Sequence, residues 1–219
     1  MHLKIVITSD FHGKLPVISP CDLLLIAGDI TPGGSVAKQA LWLDTTFKEF
    51  LHTAPAKQIV FVAGNHDSIF EKAPHLIPQD LRAIYLQDSS AKVLGITIYG
   101  MPWQLPFYGS FNASETKMAS LCANIPPCDI ILSHGPAMGL LDGIKRPPFD
   151  PESELLFEIV SVGSKALREK ILTIKPKLVV TGHIHEAYGQ THLDCLRFIN
   201  GSHMNQHMIP TNSPIITYL

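Results

Sequence analysis

Charge is scarce in this 219-residue chain: Asp, Glu, Lys and Arg make up 16% of it, and the formal net charge is −2. No run of Lys or Arg occurs, so the basic stripe that duplex DNA or RNA requires is missing and neither is expected as a partner. Long apolar runs are missing too. None approaches the roughly 18 residues that cross a bilayer, so no membrane association is expected. The apolar part of Met1-His2-Leu3-Lys4-Ile5-Val6-Ile7 is too short for an export signal. Cysteine is sparse, and the four at positions 21, 122, 128 and 195 form no Cys-x-x-Cys pair. A zinc ribbon or a thioredoxin-like redox site is therefore not expected, and reduced thiols in a cytoplasmic protein are. Internal repeats and low-complexity stretches are also absent. What remains is abundant apolar matter, 46% of the residues. That suffices for an ordinary core in one domain spanning residues 1–219.

Five short apolar runs each end in residues that bind metals. Ile5-Val6-Ile7-Thr8 leads to Asp10 and His12, Leu24-Leu25-Ile26-Ala27-Gly28 to Asp29, and Val60-Phe61-Val62-Ala63-Gly64 to Asn65, His66 and Asp67. Ile130-Ile131-Leu132-Ser133 leads to His134, and Leu178-Val179-Val180-Thr181-Gly182 to His183 and His185. The repeated polarity predicts strands that deliver Asp, Asn and His from their carboxyl ends to one rim of a sheet, where active sites of layered α/β folds lie.

Between these runs the pattern alternates. Ser35 to about His52 predicts a helix capped by Ser35, with Ala37, Leu41, Phe47 and Leu51 on one face and Trp42, Leu43 and Phe50 broadening it. Ala91 to Tyr99 predicts a strand, with Gly95 as a bulge or edge. Helices are expected near Ser114–Ala123 and over Val162–Ile174, the latter ending before Pro176. The Gly- and Pro-rich stretch from Gly139 to Pro151 reads as a surface loop, and short strands are expected at Leu196–Phe198 and Ile215–Tyr218. The sum is an α/β fold of two packed mixed β-sheets flanked by helices, a four-layer α/β/β/α sandwich.

Carboxylate oxygen and imidazole nitrogen together suit hard and borderline divalent cations. The rim supplies two carboxylates (Asp10, Asp29), one amide (Asn65) and four imidazoles (His12, His134, His183, His185), enough for two metals if Asp29 bridges them. Manganese is favoured, and iron, zinc or cobalt are compatible. In Asp10-Phe11-His12 and His183-Ile184-His185, residues two apart on an extended segment point to one side. His66 lies outside the ligand set and suits protonation of a leaving oxygen, with Asp67 orienting it. The attacking group would be hydroxide formed on the metals. Asn65, His66 and Trp103 are the candidate substrate contacts. Trp103 belongs to an aromatic loop with Phe107 and Tyr108 that either stacks on a nucleobase or packs as a hydrophobic loop.

The set Asp10-Phe11-His12, Gly28-Asp29, Gly64-Asn65-His66-Asp67, His134 and Gly182-His183-Ile184-His185 resembles, in order and content, the motifs of the calcineurin-like metallophosphoesterases. That resemblance implies a two-sheet sandwich. It also implies one metal on Asp10, His12, Asp29 and His185, a second on Asp29, Asn65, His134 and His183, and His66 as catalytic acid. Pro102-Trp103-Gln104, Ser133-His134-Gly135-Pro136 and Phe198-Ile199-Asn200-Gly201-Ser202 further resemble the compact metallophosphoesterase-domain-containing branch, which is similar to cyclic-nucleotide phosphodiesterases. The implied activity is hydrolysis of small phosphodiesters, cyclic nucleotides among the candidates, by a dinuclear metal-dependent phosphodiesterase. Phosphomonoester hydrolysis, and binding of a nucleotide monophosphate with little or no catalysis, are the alternatives. A metallo-β-lactamase is excluded because Glu186 and Ala187 follow His185, and a zinc deaminase because Pro127-Cys128 lacks the second cysteine.

Overall fold

A computed structural model describes residues 3–147 and 157–219. The chain opens with β1 (Lys4–Thr8) and β2 (Cys21–Ala27), then a helical stretch in which α1 (Val36–Trp42) passes through a π-helical turn at Leu43–Phe47 into α2 (Lys48–Thr53). Then come β3 (Ala56–Val62), α3 (Ser68–Lys72), β4 (Ile84–Tyr85), β5 (Ser89–Val93), β6 (Ile96–Met101), α4 (Glu115–Ala123) and β7 (Ile130–Ser133). The remainder comprises β8 (Gly143–Arg146), β9 (Glu158–Ser161), α5 (Lys165–Ile174), β10 (Leu178–Thr181), β11 (Gly189–Leu193), β12 (Leu196–Asn200) and β13 (Ile215–Tyr218).

Two mixed sheets carry the fold. The first runs β13-β1-β2-β3-β4, with only β13 antiparallel; the second runs β11-β12-β10-β7-β6-β5, with antiparallel edges at β11 and β5. Central parallel strands covered on both faces need apolar residues throughout, and β1, β2, β3, β7 and β10 have them. Alternation sorts their side chains. Ile5, Ile7, Leu23, Leu25, Val60 and Val62 meet Ile98, Ile130, Leu132, Leu178, Val180 and Ile199 between the sheets. The opposite faces, among them Val6, Leu24, Phe61, Ile131 and Val179, pack under the helices.

The helices start where Ser residues predict. Ser35, Ser114 and Ser164 each accept a backbone N–H three residues on, from Lys38, Lys117 and Leu167. The face expected for the first helix is corrected. Ala37 is exposed and Leu41 is 66% exposed, while Gln39, Leu43, Phe47 and Leu51 are buried. A strict four-residue spacing drifts around an α-helix of 3.6 residues per turn. The wider π turn takes up that drift and keeps the stripe on the sheet.

Two other local expectations change. Gly95 is neither bulge nor edge: with Leu94 it forms the two-residue connection between β5 and β6, both residues having positive φ, 51° and 85°. That is the type I′ geometry hairpins favour. Within the stretch expected as a loop, residues 143–146 pair antiparallel with 158–161, while 148–151 fall outside the described residues. The helix after it begins at Lys165 rather than Val162. All four cysteines are free thiols, Cys21 and Cys122 buried and Cys195 exposed. Among the described residues no helix is long and apolar enough to cross a membrane.

Candidate metal centre

The five ligand-bearing runs become β1, β2 and β3 of one sheet and β7 and β10 of the other, so the rim is shared between two sheets rather than belonging to one. Just beyond these strand ends the backbone turns sharply. Asp10, His12, Asp29 and His183 all have positive φ (54°, 44°, 53° and 69°). These left-handed turns, not an extended alternation, bring Asp10 together with His12. Non-glycine residues adopt this region at a conformational cost that tends to collect at functional sites. The motif glycines make room: a Cβ on Gly64 would lie 2.6 Å from His134 Cε1, and one on Gly182 would lie 2.5 Å from Asp10 Oδ2.

Two clusters meet at Asp29. In one, His185 Nε2 lies 3.4 Å from Asp10 Oδ1 and 3.3 Å from His12 Nε2. In the other, His134 Nε2 lies 3.0 Å from Asn65 Oδ1 and 3.5 Å from Asp29 Oδ2. Asp29 Oδ1 accepts the His66 backbone N–H at 2.8 Å, which leaves Oδ2 facing His134 and, at 3.8 Å, His12. Three sets of ligand atoms lie mutually within 4.8 Å: Asp10, His12 and His185; His12, Asp29 and His66; Asp10, Asp29 and His134. His183 stands edge-on to His134, ring centroids 5.0 Å apart, and its backbone N–H donates to the Asp10 carboxylate at 3.1 Å.

These residues fit divalent cations. His134 Nδ1 sits 2.8 Å from the Ala27 carbonyl, so its N–H points there and Nε2 turns a lone pair to the cluster. The Asn65 oxygen faces the same point, leaving the buried Nδ2 without a partner. His185 is anchored the same way, with Nδ1 3.1 Å from the Asn205 carbonyl, and its Nε2 turns inward to Asp10, where a cation would take the place of its proton. Acceptors converging in a buried site call for positive charge between them.

Electrostatics agree. Burial disfavours the charged form of both carboxylates. For Asp10 the hydrogen bond and charge of His185 outweigh burial and hold it well below the usual carboxylate range, whereas Asp29, buried and facing Asp10 and Asp67, is pushed well above it. Burial lowers His12 and His183 to about 3 and also depresses His134 and His66. His185 rises to about 9, because its bond to Asp10 overcomes burial.

Two expected roles are corrected. Asp67 does not orient the His66 ring through a hydrogen bond: its carboxylate accepts from the backbone of Ile30, Thr31 and Gly64 and from the Thr31 hydroxyl, tying the loops after β2 and β3 together. Trp103 does not reach the centre. It is 9% exposed, its Nε1 donates to Asp88 at 2.9 Å, and Lys117 covers its face at 3.7 Å. The aromatics at the site are Phe107 and Tyr108, 71% and 70% exposed, the first against His183 (5.3 Å) and the second against His66 (5.7 Å).

The supporting contacts were not anticipated from sequence, although Asn200 and Ser202 lie in a segment that carries the family resemblance. Ser9 and Ser202 hydroxyls both donate to Asp10 Oδ2, and Asn200 holds Ser202 while its amide reaches the carbonyls of Gly182 and Ile184. Gln39, buried in the first helix, donates to the His66 carbonyl and accepts from Ile69 N. A lone amide in an otherwise apolar helical stripe was the available signal. Above the ligands lies a cavity of about 230 Å³ walled by His66, Phe107, Glu186, Gln206 and Met208.

A helix-flanked double sheet with a shared rim of Asp, Asn and His defines a class, the metallophosphoesterases. The calcineurin-like phosphoesterase family profile matches residues 3–187, and the chain belongs to that family. It is similar to metallophosphoesterase domain-containing protein 1 of Homo sapiens, 30% identical over 98% of this chain and 70% of that protein. It is also similar to the UPF0046 protein T07D4.2 of Caenorhabditis elegans, 28% identical over 98% of this chain and 59% of that one. The fold is shared with TT1561 of Thermus thermophilus at a TM-score of 0.55, with 16% identity across 91% of this chain and 89% of that one.

Proposed function

We propose that the chain is a two-metal phosphodiesterase acting on small phosphodiesters, cyclic nucleotides among them. The observation that carries this reading is the convergence of the carboxylate, amide and imidazole ligand atoms of His134, Asn65, Asp29, His12, His185 and Asp10 beneath a cavity that opens to solvent. Asp10, His12, Asp29 and His185 would hold one cation and Asp29, Asn65, His134 and His183 the other, with manganese favoured and the protein cytoplasmic. Bound there, divalent cations would supply Lewis acidity at phosphorus and an acidified water.

The chain's own residues do the rest. Asp29, fixed by the His66 N–H, spans the two clusters and sets their separation. The His66 ring, 4.7 Å from that of His12 and half-buried at the cavity wall, is placed to hold a phosphoryl oxygen and to pass a proton to the leaving oxygen. The charge of the phosphodiester favours that proton against the depression caused by burial.

Arginine placement favours diester over monoester. Dianionic phosphates suit Arg clamps, but Arg82 donates to the carbonyls of Leu51, Ala54 and Ala56, Arg168 to that of Met138, and Arg197 to Thr217. Arg146 lines the neighbouring groove, and among the described residues no arginine lines the metal cavity itself. The test is turnover of bis(p-nitrophenyl) phosphate and of p-nitrophenyl phosphate by manganese-loaded protein. A higher kcat/KM for the diester supports the reading. A higher value for the monoester replaces it with a phosphomonoesterase, and no turnover of either replaces it with nucleotide binding.

A further inference from the structure

A second cavity of about 470 Å³ opens beside the metal centre and shares three of its walls, Phe107, His183 and Glu186. The metal cavity alone, about 230 Å³, falls below the roughly 300–1,000 Å³ of small-molecule sites, whereas the neighbour lies within that range. A substrate gripped at phosphorus must therefore extend one arm, and the shared walls lead that arm into the groove.

Its lining is chemically graded. The exposed Phe107 ring and the Glu186 carboxylate belong to both cavities; the apolar side chains of Leu105, Ile144 and Val162 line the groove alone. Lys145 and Arg146, on β8, line the groove as well and supply its positive charge, with Glu158 of β9 opposite Arg146 in the strand register. The Lys145 ammonium rests 4.6 Å above the Phe157 ring, an attraction that fixes it without neutralising it. A flat ring suits Phe107, vicinal hydroxyls suit a carboxylate acceptor such as Glu186, and a phosphate suits the Lys–Arg pair. A diacyl lipid arm would need a longer, uncharged channel.

We propose that this groove is the subsite for the substrate's second arm, and that the arm is a nucleoside bearing a further phosphate, recognised by Lys145 and Arg146. This rests on the phosphodiesterase reading for the phosphorus held at the metals. No bond is made or broken in the groove. Its effect is on affinity and on which diesters are chosen.

The experiment is calorimetric binding of adenosine 3′,5′-bisphosphate and of adenosine 5′-monophosphate to the manganese-loaded protein and to its Lys145→Ala/Arg146→Ala variant, with bis(p-nitrophenyl) phosphate turnover followed on the same wild-type preparation. The expected result is a bisphosphate affinity at least about tenfold above that of the monophosphate, as one extra charge-assisted contact gives, falling below about threefold in the variant. Equal affinities in the wild type, or a preference that survives the double substitution, would overturn the subsite. The turnover reports separately on the parent reading: diester hydrolysis without the preference removes only the groove, and the preference without diester hydrolysis removes only the phosphodiesterase.

Discussion

At the residue scale the centre depends on a few atoms aimed at one point. Asp29 is the clearest case, with one oxygen on the His66 N–H and the other between His12 and His134. Asp29→Asn is expected to lower the metal retained per chain after dialysis, read by elemental analysis, since an amide brings no charge to bridge two cations. Full retention of both metals would refute the bridge. His66→Ala is expected to keep its metal and lose about 10²–10⁴-fold in turnover, the usual effect of removing a general acid; unchanged turnover takes His66 out of the mechanism. The residues nearest the reacting atoms were legible in the sequence because each closes an apolar run. Those one step behind were not. Ser202 reaches Asp10 from 192 residues away, Asn200 acts by holding Ser202, and Ser9 contacts Asp10 only because the chain turns there; local pattern carries no sign of any of the three. Trp103 misled for the same reason: Asp88, its partner, comes from an unrelated turn.

At the scale of elements, capping serines and β-branched runs told where helices and strands begin, while turn geometry decided what the pattern left open. Leu94 shows the cost. It occupies a left-handed position that disfavours a branched side chain by roughly 1–2 kcal/mol, and it is 45% exposed, so little packing offsets that strain. Leu94→Asn, keeping Gly95, is expected to raise Tm by about 2–4 °C, the shift of roughly 1 kcal/mol in a chain of this size. A lower Tm in differential scanning calorimetry would mean that the Leu94 contacts outweigh its strain. The π turn at Leu43–Phe47 belongs to the same lesson. Periodicity at 3.6 residues placed Leu41 inside, whereas the four-residue spacing of Gln39, Leu43, Phe47 and Leu51 was the better guide.

For the whole molecule, the two sheets bury one another's apolar faces and bring their carboxyl ends to a common rim. Sequence polarity showed that five strands share a direction, but not that they divide three and two between sheets; that division depends on which strands pair, and pairing is non-local. A rim of buried acceptors ties stability to metal, because cations bind the assembled rim and not the unfolded chain. Manganese at a hundred times its Kd is expected to add about 2.7 kcal/mol and to raise Tm by about 5–10 °C over the chelator-stripped protein. An unchanged Tm would separate the rim from metal binding.

The most direct measurement is hydrolysis of bis(p-nitrophenyl) phosphate by metal-stripped protein as manganese is added in steps, with bound metal counted at each step. Two unlike clusters joined at Asp29 lead us to expect turnover that is absent in the stripped protein and reaches its plateau at two metals per chain. Turnover that persists without metal, or two bound metals with no hydrolysis of the diester, would contradict a two-metal phosphodiesterase.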